Sequence, residues 1–326
     1  MIGFFRLNHP EQHENMNQSR AEVADFKEKD AASYDDVTDE FDRFTQRFTG
    51  TIAARVVDLA RLGPDDRVLD VGSGTGVVTF KAASRLTAAG TVVGIDLSGG
   101  MLKKAREKSA QAGSAGKVTF LKMDAEDLTF PDATFDCVLS LYALRHFPRP
   151  DLALVEMHRI LRPGGRVVVA VGSAPFLFSL HGISAALRRI GTAMRRLRSK
   201  HDLLACEYLN GLVERHLPIV KSDEEAKWTK EHPVQSSVPR MMRAAGFRKI
   251  QVTWAGHDGI VESKNDFWDV QITFSSIARK RLAAASADAI ERLRHEFDAG
   301  CTRAQEAGGL LRYPTGALIV TGTAMV

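Results

Sequence analysis

Val68-Leu69-Asp70-Val71-Gly72-Ser73-Gly74-Thr75-Gly76 reads as a short apolar strand running into a glycine-rich turn, and a helical stretch, Val77–Leu86, follows it. A turn of this kind lets the backbone come close to a ligand, because glycine positions carry no Cβ. It is a weak signal alone, since a dinucleotide site can use it too. The spacing speaks in part against that use: the pattern is GxGxG, and Val78 and Thr79 stand where a third glycine would be needed.

Working outward from the turn, strand and helix alternate. Thr91–Leu97 is a second strand and Ser98 to Ala112 a helix; Val118–Met123 and Phe135–Tyr142 are further strands. A helix over Asp151–Leu161 ends at Arg162-Pro163-Gly164-Gly165, and Arg166–Val171 is a fifth strand. Near-continuous apolar strands alternating with helices predict an α/β fold, a doubly wound parallel sheet covered on both faces. On the amino side, Phe41, Phe44, Phe48, Ile52, Val56 and Leu59 recur at helical spacing until Gly63-Pro64 breaks it. On the carboxyl side the rhythm stops over 174–235. It resumes with a helix at Val238–Ala245 and a strand at Lys249–Trp254, is interrupted by two helices across 262–310, and closes with a strand at Ala317–Gly322. That makes a seven-strand sheet with two insertions.

The bulk properties narrow the function classes. The chain has 326 residues, 44% hydrophobic and 26% charged, ordinary values for a protein with a real core. No apolar run reaches the ~20 residues of a bilayer span, and 1–30 is a polar arm without a secretory core, so a cytoplasmic location is expected. Cys137, Cys206 and Cys301 are odd in number and widely spaced, which points to neither a disulfide framework nor a metal site. A net charge of +4 is too small to argue for nucleic acid. Six of the cations, Arg188, Arg189, Arg195, Arg196, Arg198 and Lys200, form one block, so the basicity is local. They surround an apolar stripe at Ile183, Leu187, Ile190, Met194 and Leu197. The segment 183–200 therefore reads as a lid helix, a peripheral membrane helix or a homo-oligomer contact.

Two acids extend the reading of the turn. Asp96 ends the second strand, where a carboxylate can accept both hydroxyls of a ribose diol; Ser98 is the better N-cap of the next helix. Asp124-Ala125-Glu126 follows the third strand, where an acid can accept from an adenine amino group, and Asp124 is favoured over Glu126. Both features fit a nucleoside.

In this order the glycine turn, Gly94-Ile95-Asp96-Leu97-Ser98 with Met101-Leu102, Asp124-Ala125-Glu126, Phe135-Asp136-Cys137-Val138 and Leu161-Arg162-Pro163-Gly164-Gly165 resemble the class I S-adenosylmethionine (SAM)-dependent methyltransferases. Within them the chain looks like the ubiquinone/menaquinone-biosynthesis methyltransferase-like group. The resemblance implies a Rossmann-like sheet of order 3-2-1-4-5-7-6 with an antiparallel last strand and helical cap insertions. It implies a covering arm and helix at 1–62, a SAM-binding core at 63–173, a cap at 174–235, and the rest of the sheet at 236–326. The methionine part of SAM falls to Asp70, Gly72, Ser73, Gly74 and Gly76, the ribose to Asp96, and the adenine to Asp124 and Ala125. Leu97, Met101, Ser140 and Tyr34 complete the expected cofactor contacts.

The fourth strand continues as Ala143-Leu144-Arg145-His146-Phe147, which in resembling enzymes lies beside the transferred methyl. Many carry two histidines here, whereas this chain has Arg145 and then His146. His146 is thus either a catalytic base or a structural turn residue, and Arg145 either an anion ligand or a surface pair. His257 is a second, weaker base candidate. Phe176, Phe178, Trp228 and the Phe267–Ile277 stretch can wall an apolar pocket or simply form core. The expected activity is methyl transfer to a small, aromatic or apolar acceptor, at carbon, oxygen or nitrogen, with no metal. The alternative is a SAM-binding protein of the same fold without transfer, either cyclase-like or regulatory.

Overall fold

The computed structural model describes residues 23–113, 116–173, 201–218 and 234–325. The insertion residues Phe176, Phe178 and Trp228 and the basic segment 183–200 lie outside them.

β1 (Arg67–Val71) is the centre of the molecule. Val68, Leu69 and Val71 are fully buried, as a strand covered on both faces requires. It pairs in parallel with β2 (Thr91–Asp96) on one side and β4 (Phe135–Leu141) on the other; β3 (Val118–Lys122) extends the first side and β5 (Leu161–Gly172) the second. β8 (Leu311–Ala324) runs antiparallel to β5, and β7 (Phe247–Val261) antiparallel to β8. The anticipated order is therefore present, with one addition: the two-residue β6 (Leu203–Leu204) pairs with the start of β8.

The late strands are longer than their apolar runs suggested. β7 and β8 form a ribbon from Phe247–Ala324 to Val261–Leu311, well beyond Trp254 and Ala317. Its outer half mixes glycine, proline and charged residues, which mask the period-two signal. The insertion before β8 holds three helices rather than two.

In chain order the helices are α1 (23–32), α2 (Thr38–Phe44), α3 (Gly50–Ala60), α4 (Val77–Ala83), α5 (Gly99–Gln111) and α6 (Pro150–Arg159), followed by α7 (Ala205–His216), α8 (Val234–Ala244), α9 (Lys264–Phe274), α10 (Ser276–Ala283) and α11 (Ala287–Glu306). A π-helical turn, Thr45–Thr49, joins α2 to α3. One sheet face packs on α6 and α8, through Leu154, Met157, Val238 and Met242; the other packs on α3, α4 and α5, through Val56, Val78 and Leu102. A third core lies beyond the sheet, where Phe44 and Phe48 meet Leu209, Phe267, Val270 and Phe297 from α7, α9 and α11. Among the described residues no helix is long and apolar enough to cross a membrane.

Candidate active site

A cavity of about 510 Å³ opens at the carboxyl ends of β1, β2 and β4, between the sheet and α1–α2. Sheet order reverses between β1 and β4, and there the loops diverge and leave a crevice.

Gly72, Ser73 and Gly74 of the turn form its floor, whereas Gly76 does not line it and packs against Phe80 and Phe120, which a Cβ there would meet at 2.7 and 3.0 Å. Gly72, Gly74 and Gly76 all have positive φ, +71°, +53° and +90°, which a side chain would strain. They do not share one function. A Cβ on Gly72 would lie 2.1 Å from the Ala143 Cβ, so this glycine lets β1 and the end of β4 approach each other. A Cβ on Gly74 would meet only Phe41, at 3.5 Å, so Gly74 is the member that leaves backbone open to a ligand.

Asp70 and Asp96 face the cavity from neighbouring strand ends. Asp96 is fixed by two backbone donors, Gly74 N–H to Oδ2 at 2.8 Å and Ser98 N–H to Oδ1 at 3.0 Å. Burial raises its pKa, with those donors opposing. Ser98 is the N-cap of α5, its Oγ accepting from the Met101 N–H at 3.0 Å, which leaves Asp96 free of that task. Asp70 accepts from Thr79 Oγ1 at 2.6 Å on Oδ2, while Oδ1 is buried without a partner, as is Ser73 Oγ. Burial lifts the Asp70 carboxyl to about 7. Orphaned polar atoms at a cavity wall are what a polar ligand completes, and an ammonium-bearing amino acid part fits a carboxylate there. The residues present thus suit SAM.

Leu97, Met101, Asp124, Ala125 and Tyr34 also line the cavity; Ser140 does not. Ser140 is fully buried, and its hydroxyl donates to the Val71 carbonyl at 2.9 Å, tying β4 to β1. Glu126 is withdrawn too, held by Arg149 through its backbone N–H and its Nε. His257 is exposed on β7 and does not line the cavity. Trp254 donates to the Ser173 carbonyl at 3.0 Å. Of the Phe267–Ile277 stretch, Phe267, Trp268 and Val270 belong to the third core, while Gln271, Phe274 and Ser275 reach the cavity.

His146 stands at the cavity wall on a 3₁₀ turn, Leu144–His146. Tyr142, at φ +63°, turns the chain from β4 toward it, and its amide still donates to Ala170 at 2.7 Å. Arg145 lines the same wall, and no acid lies within ion-pair distance of it among the described residues.

Two residues absent from the sequence-based set come from α1. Lys27 places its ammonium 2.7 Å from Asp124 and 2.6 Å from Glu126. Asp30 Oδ2 lies 3.1 Å from His146 Nδ1. Burial works to raise the Asp30 carboxyl, but the His146 hydrogen bond and the charges of His146, Lys280 and Arg279 outweigh it and hold its pKa below the ordinary value. Both contacts join positions about a hundred residues apart, across a helix that reads only as a polar arm, so no local pattern announces them.

Rings also connect along one wall. His146 meets Tyr34 edge-on at 5.7 Å, Tyr34 meets Phe41 at 5.8 Å, Phe41 meets Phe274 at 5.4 Å, and Phe274 stacks on Tyr313 at 5.6 Å. Beside them Thr45 Oγ1 is buried without a partner.

With this fold, the chain belongs to the class I SAM-dependent methyltransferases. A model of the methyltransferase domain matches residues 68–165, the span from β1 into the start of β5. The chain is related to the UbiE-like members. It is 31% identical over 243 residues to the ubiquinone/menaquinone biosynthesis C-methyltransferase UbiE of Idiomarina loihiensis, covering 72% of this chain and 86% of the relative. The enzyme of the same name from Serratia proteamaculans is 32% identical over 242 residues, covering 72% and 86%. Among solved structures, the YcgJ protein of Bacillus subtilis has a TM-score of 0.49 and 18% identity, covering 84% of this chain and 98% of that one.

Proposed function

We propose that this methyltransferase acts on a small aromatic acceptor, held against the ring wall that runs from His146 to Tyr313. That wall is the observation that carries the reading: five rings from four separate segments converge on one side of the cavity. Offset and edge-on ring contacts add about 0.5–1.5 kcal/mol each beyond burial, so a flat aromatic is favoured over an aliphatic of equal area. Thr45 Oγ1, otherwise unpaired, suits a hydroxyl or carbonyl on such a ring. The UbiE relatives, named for ubiquinone and menaquinone biosynthesis, agree with an acceptor of this kind.

SAM, when bound, supplies an electrophilic methyl group, so the protein's tasks are alignment, exclusion of water and removal of one proton. Asp70, Ser73 and Gly74 would hold the amino acid part, Asp96 the ribose, and Asp124 with Ala125 the adenine. His146 would take the acceptor's proton at Nε2, since Nδ1 faces Asp30. The α1–α2 strap would keep water out.

The test is incubation with methyl-labelled SAM and a panel of hydroquinones, phenols, aromatic amines and aliphatic alcohols. Label is expected in an aromatic product and not in the alcohols. Transfer to none of them, with SAM demonstrably bound, would contradict the proposal and favour a non-transferring role.

A further inference from the structure

Asp30 has no part in the cofactor set, yet it is a buried carboxylate aimed at the one histidine of the cavity wall among the described residues. Its side chain is 11% exposed, and its Oδ2 lies 3.1 Å from His146 Nδ1. The backbone around it is pinned as well, with Ser33 Oγ donating to the Asp30 carbonyl at 2.7 Å. Tyr34 closes edge-on against the imidazole at 5.7 Å, and the Arg279 guanidinium lies over the Tyr34 ring at 4.8 Å, its Nη1 donating to the Ile272 carbonyl. The imidazole is therefore held on one edge by a carboxylate and on another by a ring that α9 and α10 fix from behind. Nε2 has no protein partner among the described residues.

From this we infer that Asp30 is a positioning residue: it fixes the His146 tautomer with the proton on Nδ1, so that Nε2 presents its lone pair to the acceptor. An imidazole has one donor and one acceptor nitrogen when neutral, and a carboxylate beside one nitrogen decides which is which. The free side chain has no such constraint, and a freely turning ring offers the wrong nitrogen part of the time. Asp30 stands on α1, outside the sheet that carries His146. The base is thus completed only when α1 is docked, and docking of the strap and readiness of the base become one event. The same strap carries Lys27 onto Asp124, beside the adenine end of the cofactor pocket.

The inference rests on the reading of His146 as the base, but its test does not need the acceptor. The probe is the nitrogen-15 spectrum of the histidine rings of the full chain, recorded where imidazoles are neutral, with the His146 signal identified by its absence in His146→Asn. In the wild type the proton should reside on Nδ1; a predominant Nε2–H form would overturn the inference without any variant. In Asp30→Ala the Nδ1–H population should fall at least several-fold, and in Asp30→Asn, whose side-chain oxygen can still accept, it should be largely restored. SAM affinity by calorimetry should stay within about threefold of wild type in both. An unchanged tautomer with weakened SAM binding would mean that Asp30 only anchors the strap, and would refute the role. Once an acceptor is in hand, turnover of Asp30→Ala should drop by about tenfold or more with SAM affinity retained. If instead His146→Asn keeps full turnover, the base reading fails, while the tautomer result stands on its own.

Discussion

Asp70 carries the clearest conflict between stability and binding. Burial raises its carboxyl to about 7, and only Thr79 supports one of its oxygens. In the unfolded chain an aspartate titrates near 3.8. Between these values the native state holds a proton that the unfolded state has lost, so stability falls as pH rises from about 4 to about 7. Asp70→Asn removes that slope: its melting temperature should exceed the wild type's at pH 8 by several degrees and match it near pH 4. The same variant should bind SAM at least tenfold more weakly by calorimetry, and wild-type affinity should increase as pH rises through about 7. The glycines separate in a similar way. Gly72→Ala should cost about 2 kcal/mol or more in denaturant unfolding, because its Cβ would collide with Ala143 at a positive φ. Gly74→Ala should cost only about 1 kcal/mol in stability, from backbone strain, and show its effect in weaker SAM binding.

At the scale of elements, α1 and α2 form a strap held across the cavity by charges. Lys27 grips Asp124 and Glu126; Asp35 accepts from Ser98 Oγ and the Gly100 amide; Asp39 and Asp42 pair with Lys104 and Lys108. These contacts differ in weight. The Glu126 side chain is 1% exposed, so removing one of its cations leaves a buried charge with Arg149 alone, whereas Asp39 is 75% exposed and its pair contributes little. Lys27→Met should therefore speed amide exchange over 23–49 by about tenfold and hasten SAM release, and Asp39→Ala should change neither. The sheet strands and the glycine turn were legible because buried parallel strands and a turn before a helix leave contiguous signals. The strap was legible only in part. Phe41, Phe44 and Phe48 show helical spacing, but Lys27 and Asp30 look like any charged residues of a polar arm until the fold brings Glu126 and His146 to them. The ring wall was hidden for the same reason, since Tyr34, Phe41, Phe274 and Tyr313 are close only in space. Ser140 misleads in the opposite sense: it has the right strand position, but its side chain faces β1 and not the cavity.

For the whole molecule, the two ends of the cavity rest on different cores. The strand ends that carry Asp70 and Asp96 are supported by the two faces of the sheet, while Phe274 and Tyr313 stand on the third core around Phe297. Phe297 is fully buried against Tyr208, Phe267 and Trp268. Phe297→Ala should lose about 3–5 kcal/mol of local stability, seen as an early melting phase of the insertion, with SAM affinity nearly intact. On the proposed reading, the SAM end is built on the sheet, and the acceptor wall draws on the strap, the turn after β4, α9 and β8. The proposed function requires that the cavity bind SAM through the strand-end carboxylates. Calorimetric titration with SAM tests this most directly, using wild type, Asp96→Ala and, as a control outside the cavity, Ser140→Ala. One SAM per chain should bind to wild type and to Ser140→Ala alike, and Asp96→Ala should weaken binding by at least tenfold, through loss of charge-assisted bonds to the ribose. Absence of binding to wild type, or full affinity in Asp96→Ala, would contradict it.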